Sequence, residues 1–147
     1  MIAYAIKSGC VVILLFIMTL LFSCSDNSTE AEDVNPIIGT WDVSKMTSIY
    51  EGVTETYDSD QLAQMELVWT LKFQEDSTAE QITNISGPLL SMPGTWLTSD
   101  NQLTLALLGP TGTIGTIVYE YIVNADLLKL NWQMPNGRLN TAEFTKQ

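Results

Sequence analysis

Residues 66–74 read ELVWTLKFQ, and this stretch decides the fold. Leu67, Trp69, Leu71 and Phe73 fall on one side of an alternating pattern, with Glu66, Thr70, Lys72 and Gln74 on the other beside Val68. A period of two is the signature of a β-strand with one buried face. The pattern returns in QLTLALL, through Leu103, Leu105 and Leu107, and in LLKLNWQM, where Leu128, Leu130, Trp132 and Met134 oppose Leu127, Lys129, Asn131 and Gln133. These runs are too short and too strictly alternating for helices.

Working outward, turn residues punctuate the chain at Glu75-Asp76, Ser99-Asp100-Asn101, Asn124-Ala125-Asp126 and Pro135-Asn136-Gly137. Such residues tolerate the dihedrals of tight turns, so neighbouring strands are expected to form antiparallel hairpins. The spacing predicts about eight strands, near 39–49, 66–74, 78–85, 93–98, 102–108, 114–123, 127–134 and 138–146. The exception is the long link from Tyr50 to Met65, in which Asp58, with Gln61 three residues on, is placed to cap a short helix over SDQLAQM, residues 59–65. The expected fold class is all-β, an up-and-down antiparallel β-barrel, which closes its own edges; a two-sheet sandwich is the alternative.

The N-terminus reads as a secretion signal over residues 1–23, with Lys7 ahead of the apolar run from Cys10 to Phe22. The run falls short of the roughly 20 apolar residues that span a bilayer. Its end, Leu21-Phe22-Ser23-Cys24, resembles the lipobox of bacterial lipoproteins, although Phe22 stands where a small residue is usual. The resemblance implies lipidation of Cys24, with diacylglyceryl on the thiol and a further acyl chain such as palmitate on the new amine. Two or three chains anchor stably, one only marginally. The segment SDNSTEAEDVN that follows has four acids and no base, too little apolar surface to fold, and reads as a disordered tether over 24–35. The barrel domain is then 36–147, and the expected location is the outer membrane of a Gram-negative cell envelope, on its periplasmic or surface face.

Charge and composition exclude several functions. With Lys7 removed, five basic side chains stand against seventeen acidic ones, a balance that repels nucleic acid and anionic membrane surfaces. Cleavage leaves Cys24 as the sole cysteine, so no intramolecular disulfide is available and the core must hold the fold. There is no histidine, which excludes Ser-His-Asp and Cys-His nucleophile systems and His-ligated zinc. The acids Asp42, Glu66, Glu80, Glu120 and Glu143 are read as lying in strands, where acids alternating with apolar residues form the wet face. No catalytic residue, metal or cofactor is therefore expected.

The tripeptide GTW occurs at Gly39-Thr40-Trp41 and again at Gly94-Thr95-Trp96, with no match beyond three residues. Both are read as strand openings in which Gly ends a turn and Trp points to one face. Together with the hairpin YEYIVNADLLKLNW and the closing AEFTKQ, they make the domain resemble the small lipocalin-like domains of bacterial lipoproteins, themselves similar to the wider lipocalins. Lipocalins open strand one with Gly-x-Trp and cover that Trp with an Arg from the last strand. The resemblance assigns barrel closure to Trp41 and, at the Arg position, to Lys146.

It also implies a membrane-tethered binder of a small apolar molecule. Trp69, Trp96, Trp132, Phe73, Tyr119 and Tyr121 are the candidate lining residues, and they serve equally to fill the barrel. Tyr119 and Tyr121 share one face of their strand, while Ile114, Val118 and Ile122 on the other suggest cover from outside. The alternative function is a non-catalytic surface module, binding glycan or inhibiting an enzyme, with a filled barrel.

Overall fold

The structure is a computed structural model and describes residues 35–147; the signal segment, Cys24 and the tether up to residue 34 lie outside the described residues. Nine strands and one helix follow in order: β1 Gly39–Tyr50, β2 Val53–Tyr57, α1 Ser59–Gln64, β3 Trp69–Phe73, β4 Thr78–Thr83, β5 Leu90–Ser99, β6 Gln102–Leu108, β7 Ile114–Asn124, β8 Leu127–Gln133 and β9 Leu139–Lys146. From β3 to β9 each strand pairs antiparallel with the next, and β1 closes the ring by pairing with both β3 and β9. The result is an eight-stranded up-and-down barrel with β2 as an addition.

The addition corrects the reading of the link from Tyr50 to Met65. One edge of β1 is shared: its first part pairs with β3, from Gly39↔Phe73 to Asp42↔Thr70, and its last part with β2, from Met46↔Tyr57 to Tyr50↔Val53. β2 and β3 are thus two pieces of one rung, interrupted by the helix. Asp58 caps α1 as a capping box, its carboxylate accepting from the Gln61 amide while the Gln61 side chain accepts from the Asp58 N–H, each at 3.0 Å. The helix ends in a Schellman turn, with Leu67 N–H donating to Leu62 carbonyl and Glu66 N–H to Ala63 carbonyl, both at 3.0 Å. That turn needs a left-handed residue, which is Glu66 at φ 52°. Glu66 therefore does not lie in a strand, and β3 starts only at Trp69.

The second GTW also needs correcting, since β5 begins at Leu90 and Gly94 lies inside it. Pro93 is tolerated there because the β5–β6 ladder starts at Gly94, leaving Pro93 paired only with Glu80 of β4. A Cβ on Gly94 would collide with the Ala106 carbonyl of β6, so only glycine permits this backbone approach.

The inner face carries the core. Trp41, Leu71, Leu103, Leu105, Leu128, Leu130, Ala142 and Phe144 are buried almost completely, with Ile37 plugging the end where β1 starts. Short hairpins after β3, β5 and β7 sit at that end. The other end carries the β1–β2 turn and the longer links 84–89, 109–113 and 134–138. Both GTW indoles are fixed at or near the plugged end: Trp41 Nε1 donates to the Ile37 carbonyl at 2.7 Å and Trp96 Nε1 to the Gln74 carbonyl at 3.0 Å.

Candidate functional site: the open end of the barrel

The strand alternation places the six candidate lining residues on the inner face. Trp69, Phe73, Trp96 and Tyr119 are buried, and Trp132 and Tyr121 half-buried. They meet edge to face. Trp69 packs against Trp132 at 5.8 Å and Phe144 at 5.0 Å between ring centres, Tyr119 against Trp132 at 5.7 Å, and Phe73 against Trp96 at 5.6 Å. Each such pair is worth about 0.5–1.5 kcal/mol beyond its buried area. The Trp69, Trp132, Tyr119 and Phe144 rings come from four strands and form a layer across the lumen. Burial pushes the Tyr119 phenol up to about 12.

Exposure changes along the inner face. Toward the plugged end most inward side chains are dry, with Val43, Tyr121 and Val123 half-buried, whereas inward-facing Met46, Leu90, Met92 and Trp132 toward the other end are all half-buried, and Ile117 is 37% exposed. The inner face also carries polar atoms. Trp69 Nε1, Gln81 Oε1 and Asn140 Nδ2 are buried and have no hydrogen-bond partner. Gln81 and Thr83 stand on the inner face of β4, opposite Leu71 and Trp69 of β3. The region thus offers two donors, one acceptor and apolar walls of Met, Leu, Ile and Trp.

These polar members were invisible in the sequence. In TAEQITN an inward Gln81 cannot be told from an outward one, because Ile82 supplies the apolar residue on the wrong face. Asn140 likewise carries no apolar periodicity.

The resemblance-based closure pair lies at the plugged end, where Trp41 and Lys146 are cross-strand partners and Lys146 Nζ is 5.2 Å from the indole centre. On the outside, Ile114, Val118 and Ile122 are 67%, 50% and 60% exposed, so among the described residues nothing covers that stripe of β7. The strand acids face outward: Glu80 accepts from Lys72 at 2.8 Å and from Ser91 at 2.5 Å, which holds its carboxyl below the ordinary range.

An eight-stranded closed barrel, plugged at one end and looser at the other, defines a lipocalin-like fold. Among solved structures the chain is similar to a lipocalin-like protein from Bacteroides uniformis, with TM-score 0.50 and 17% identity over 77% of this chain and 100% of that one. It is also similar to a protein from Bacteroides eggerthii, with TM-score 0.48 and 16% identity over 75% of this chain and 98% of that one. No protein-family profile matches the sequence, and no curated protein matches it.

Proposed function

We propose that the chain is a lipid-anchored protein of a Gram-negative cell envelope, held at the outer membrane through an acylated Cys24, whose barrel binds a small, mainly apolar molecule at its open end. The observation that carries the binding reading is the gradient along the inner face, where Met46, Leu90, Met92, Ile117 and Trp132 remain partly exposed while most of their counterparts at the plugged end are dry. Leaving an apolar inner face in contact with water is unfavourable, and an apolar ligand relieves it. The unpartnered Trp69 Nε1, Gln81 Oε1 and Asn140 Nδ2 leave polar atoms on the inner face free to meet a polar group on that ligand. The anchoring part rests on the apolar run and the Leu21-Phe22-Ser23-Cys24 junction.

The test is titration of the purified chain with palmitate, retinol and an anilinonaphthalene dye. Binding at the open end quenches indole fluorescence through Trp132 and raises the melting temperature by linkage. A second reading, a filled barrel acting through its outer surface, is favoured by the aromatic layer of Trp69, Trp132, Tyr119 and Phe144. Failure of all three probes to bind selects it.

A further inference from the structure

We propose a second site, on the outer wall, that takes a neutral, hydroxyl-rich ligand of the oligosaccharide class. It shares Trp132 and Asn140 with the lumen reading and is otherwise lined by outward-facing residues. The β7–β8 ladder runs from Asn124↔Leu127 to Glu120↔Asn131 and stops, although β8 continues paired with β9 to Gln133↔Leu139 and β7 continues paired with β6 to Ile114. Where the two strands part, the wall holds a groove of about 440 Å³. That volume lies within the roughly 300–1,000 Å³ of small-molecule sites.

The polar lining is Gln102, Glu120, Asn131, Gln133, Asn140 and Thr141. Four of the six are carboxamides, which both donate and accept, as sugar hydroxyls do. Thr141 Oγ1 donates to Asn131 Oδ1 at 2.8 Å, which fixes the Asn131 amide and leaves its NH₂ group to donate. Asn140 Nδ2 is buried without a partner. Ile49, Val118, Leu139 and Trp132 complete the lining with apolar surface, suited to the C–H faces of sugar rings.

An outer wall is polar in any barrel, so the contrast along the same strands matters. One step toward the plugged end, β8, β9 and β1 carry charge: Glu143 pairs with Lys129 at 3.6 Å and with Lys45 at 3.9 Å. In the groove the corresponding outward positions are Asn131, Thr141 and Thr47, then Gln133, Leu139 and Ile49. On these strands charge gives way to Asn131, Gln133, threonines and aliphatic side chains, and Glu120 of β7 is the one charged residue of the lining. The lining has no Lys or Arg, and Glu120 with a chain net charge of −11 disfavours anions. A metal ion finds no cluster of three or more ligating side chains among the described residues.

The experiment is calorimetric titration of the full-length chain in mild detergent with maltohexaose, cellohexaose, xylohexaose and mannohexaose. At least one is expected to bind, with Asn131→Ala and Gln133→Ala each weakening it about tenfold, a loss of about 1.4 kcal/mol. Both variants should keep the wild-type circular dichroism spectrum and leave quenching by the apolar dye unchanged, which separates this site from the lumen. No binding by any of the four sugars overturns the proposal. So does undiminished binding in Asn131→Ala.

Discussion

Lys146 places its ammonium 5.2 Å from the centre of the Trp41 indole, while its Cε runs where a Cβ on Gly39 would stand, 2.7 Å away. Three residues therefore define one closure: Trp41 seals the lumen, Lys146 covers the ring, and Gly39 leaves the covering side chain a path. The Lys146 Nζ also reaches the Pro36 carbonyl at 3.5 Å, joining the last strand to the plug. Trp41 is fully buried, so Trp41→Ala should cost roughly 3–5 kcal/mol in denaturant unfolding. Lys146→Met should cost only about 0.5–1 kcal/mol, the scale of an exposed cation–π contact. A loss under about 1 kcal/mol for Trp41→Ala would show that the indole does not hold the closed end.

The two GTW glycines should respond differently to alanine. Gly94 abuts the Ala106 carbonyl, a backbone atom that cannot swing aside, so Gly94→Ala should destabilise by about 1–3 kcal/mol through forced separation of β5 and β6. At Gly39 the obstacle is the flexible end of Lys146, and the strain is mostly the φ of 137°. The double change Gly39→Ala with Lys146→Ala should therefore remain costly. Recovery to wild-type stability in that double variant would place the cost in the side-chain contact instead.

The barrel was legible because its strands alternate cleanly. ELVWTLKFQ, QLTLALL and LLKLNWQM each present one apolar face, and no rearrangement of partners alters which face that is. The helix was legible from Asp58 and Gln61, because a capping box is a local hydrogen-bond device. β2 was not, since all of VTETY is exposed and has no apolar side to reveal it. Glu66 was misplaced because a left-handed helix terminus without glycine leaves no mark in composition. The open-end polar groups and the outer groove were hidden for a shared reason: Gln81, Asn131 and Asn140 acquire meaning only from the partners that the ladder brings beside them.

Alkaline pH should reveal the buried phenol. Burial raises the Tyr119 pKa to about 12 in the folded chain, against an unfolded value near 10, so its contribution is fully present below pH 10 and is lost as pH rises toward 12. Two pH units at 1.36 kcal/mol each set the scale at about 2–3 kcal/mol. Absorbance titration at alkaline pH should show Tyr119 ionising last, together with unfolding. Tyr119→Phe should flatten the loss of stability between pH 10 and pH 12. An unchanged alkaline limb in that variant would assign the effect to other groups.

Anchoring through Cys24 predicts that Cys24→Ser moves the chain out of the membrane fraction or leaves its precursor uncleaved. Fractionation followed by mass measurement decides it. Recovery of the variant at mature size in washed membranes would overturn the lipid anchor.

On the inner face, stability and binding should oppose each other through one residue. Gln81 Oε1 is buried with no partner, and an unsatisfied buried acceptor costs about 1–3 kcal/mol. Methionine has a similar shape and no such requirement, so Gln81→Met should raise the stability of the ligand-free protein by about 1 kcal/mol. The same change removes an acceptor from the inner face of β4, the strand paired with the one that carries Trp69. Binding of an apolar ligand with a hydroxyl head, such as dodecanol, should then weaken by about fivefold, while a ligand without a polar head is unaffected. Equilibrium unfolding and a fluorescence titration of the same variant supply both numbers. Unchanged or lower stability in Gln81→Met would mean that the carbonyl is solvated at the open end, and equal losses for both ligands would mean that its role in binding is shape alone.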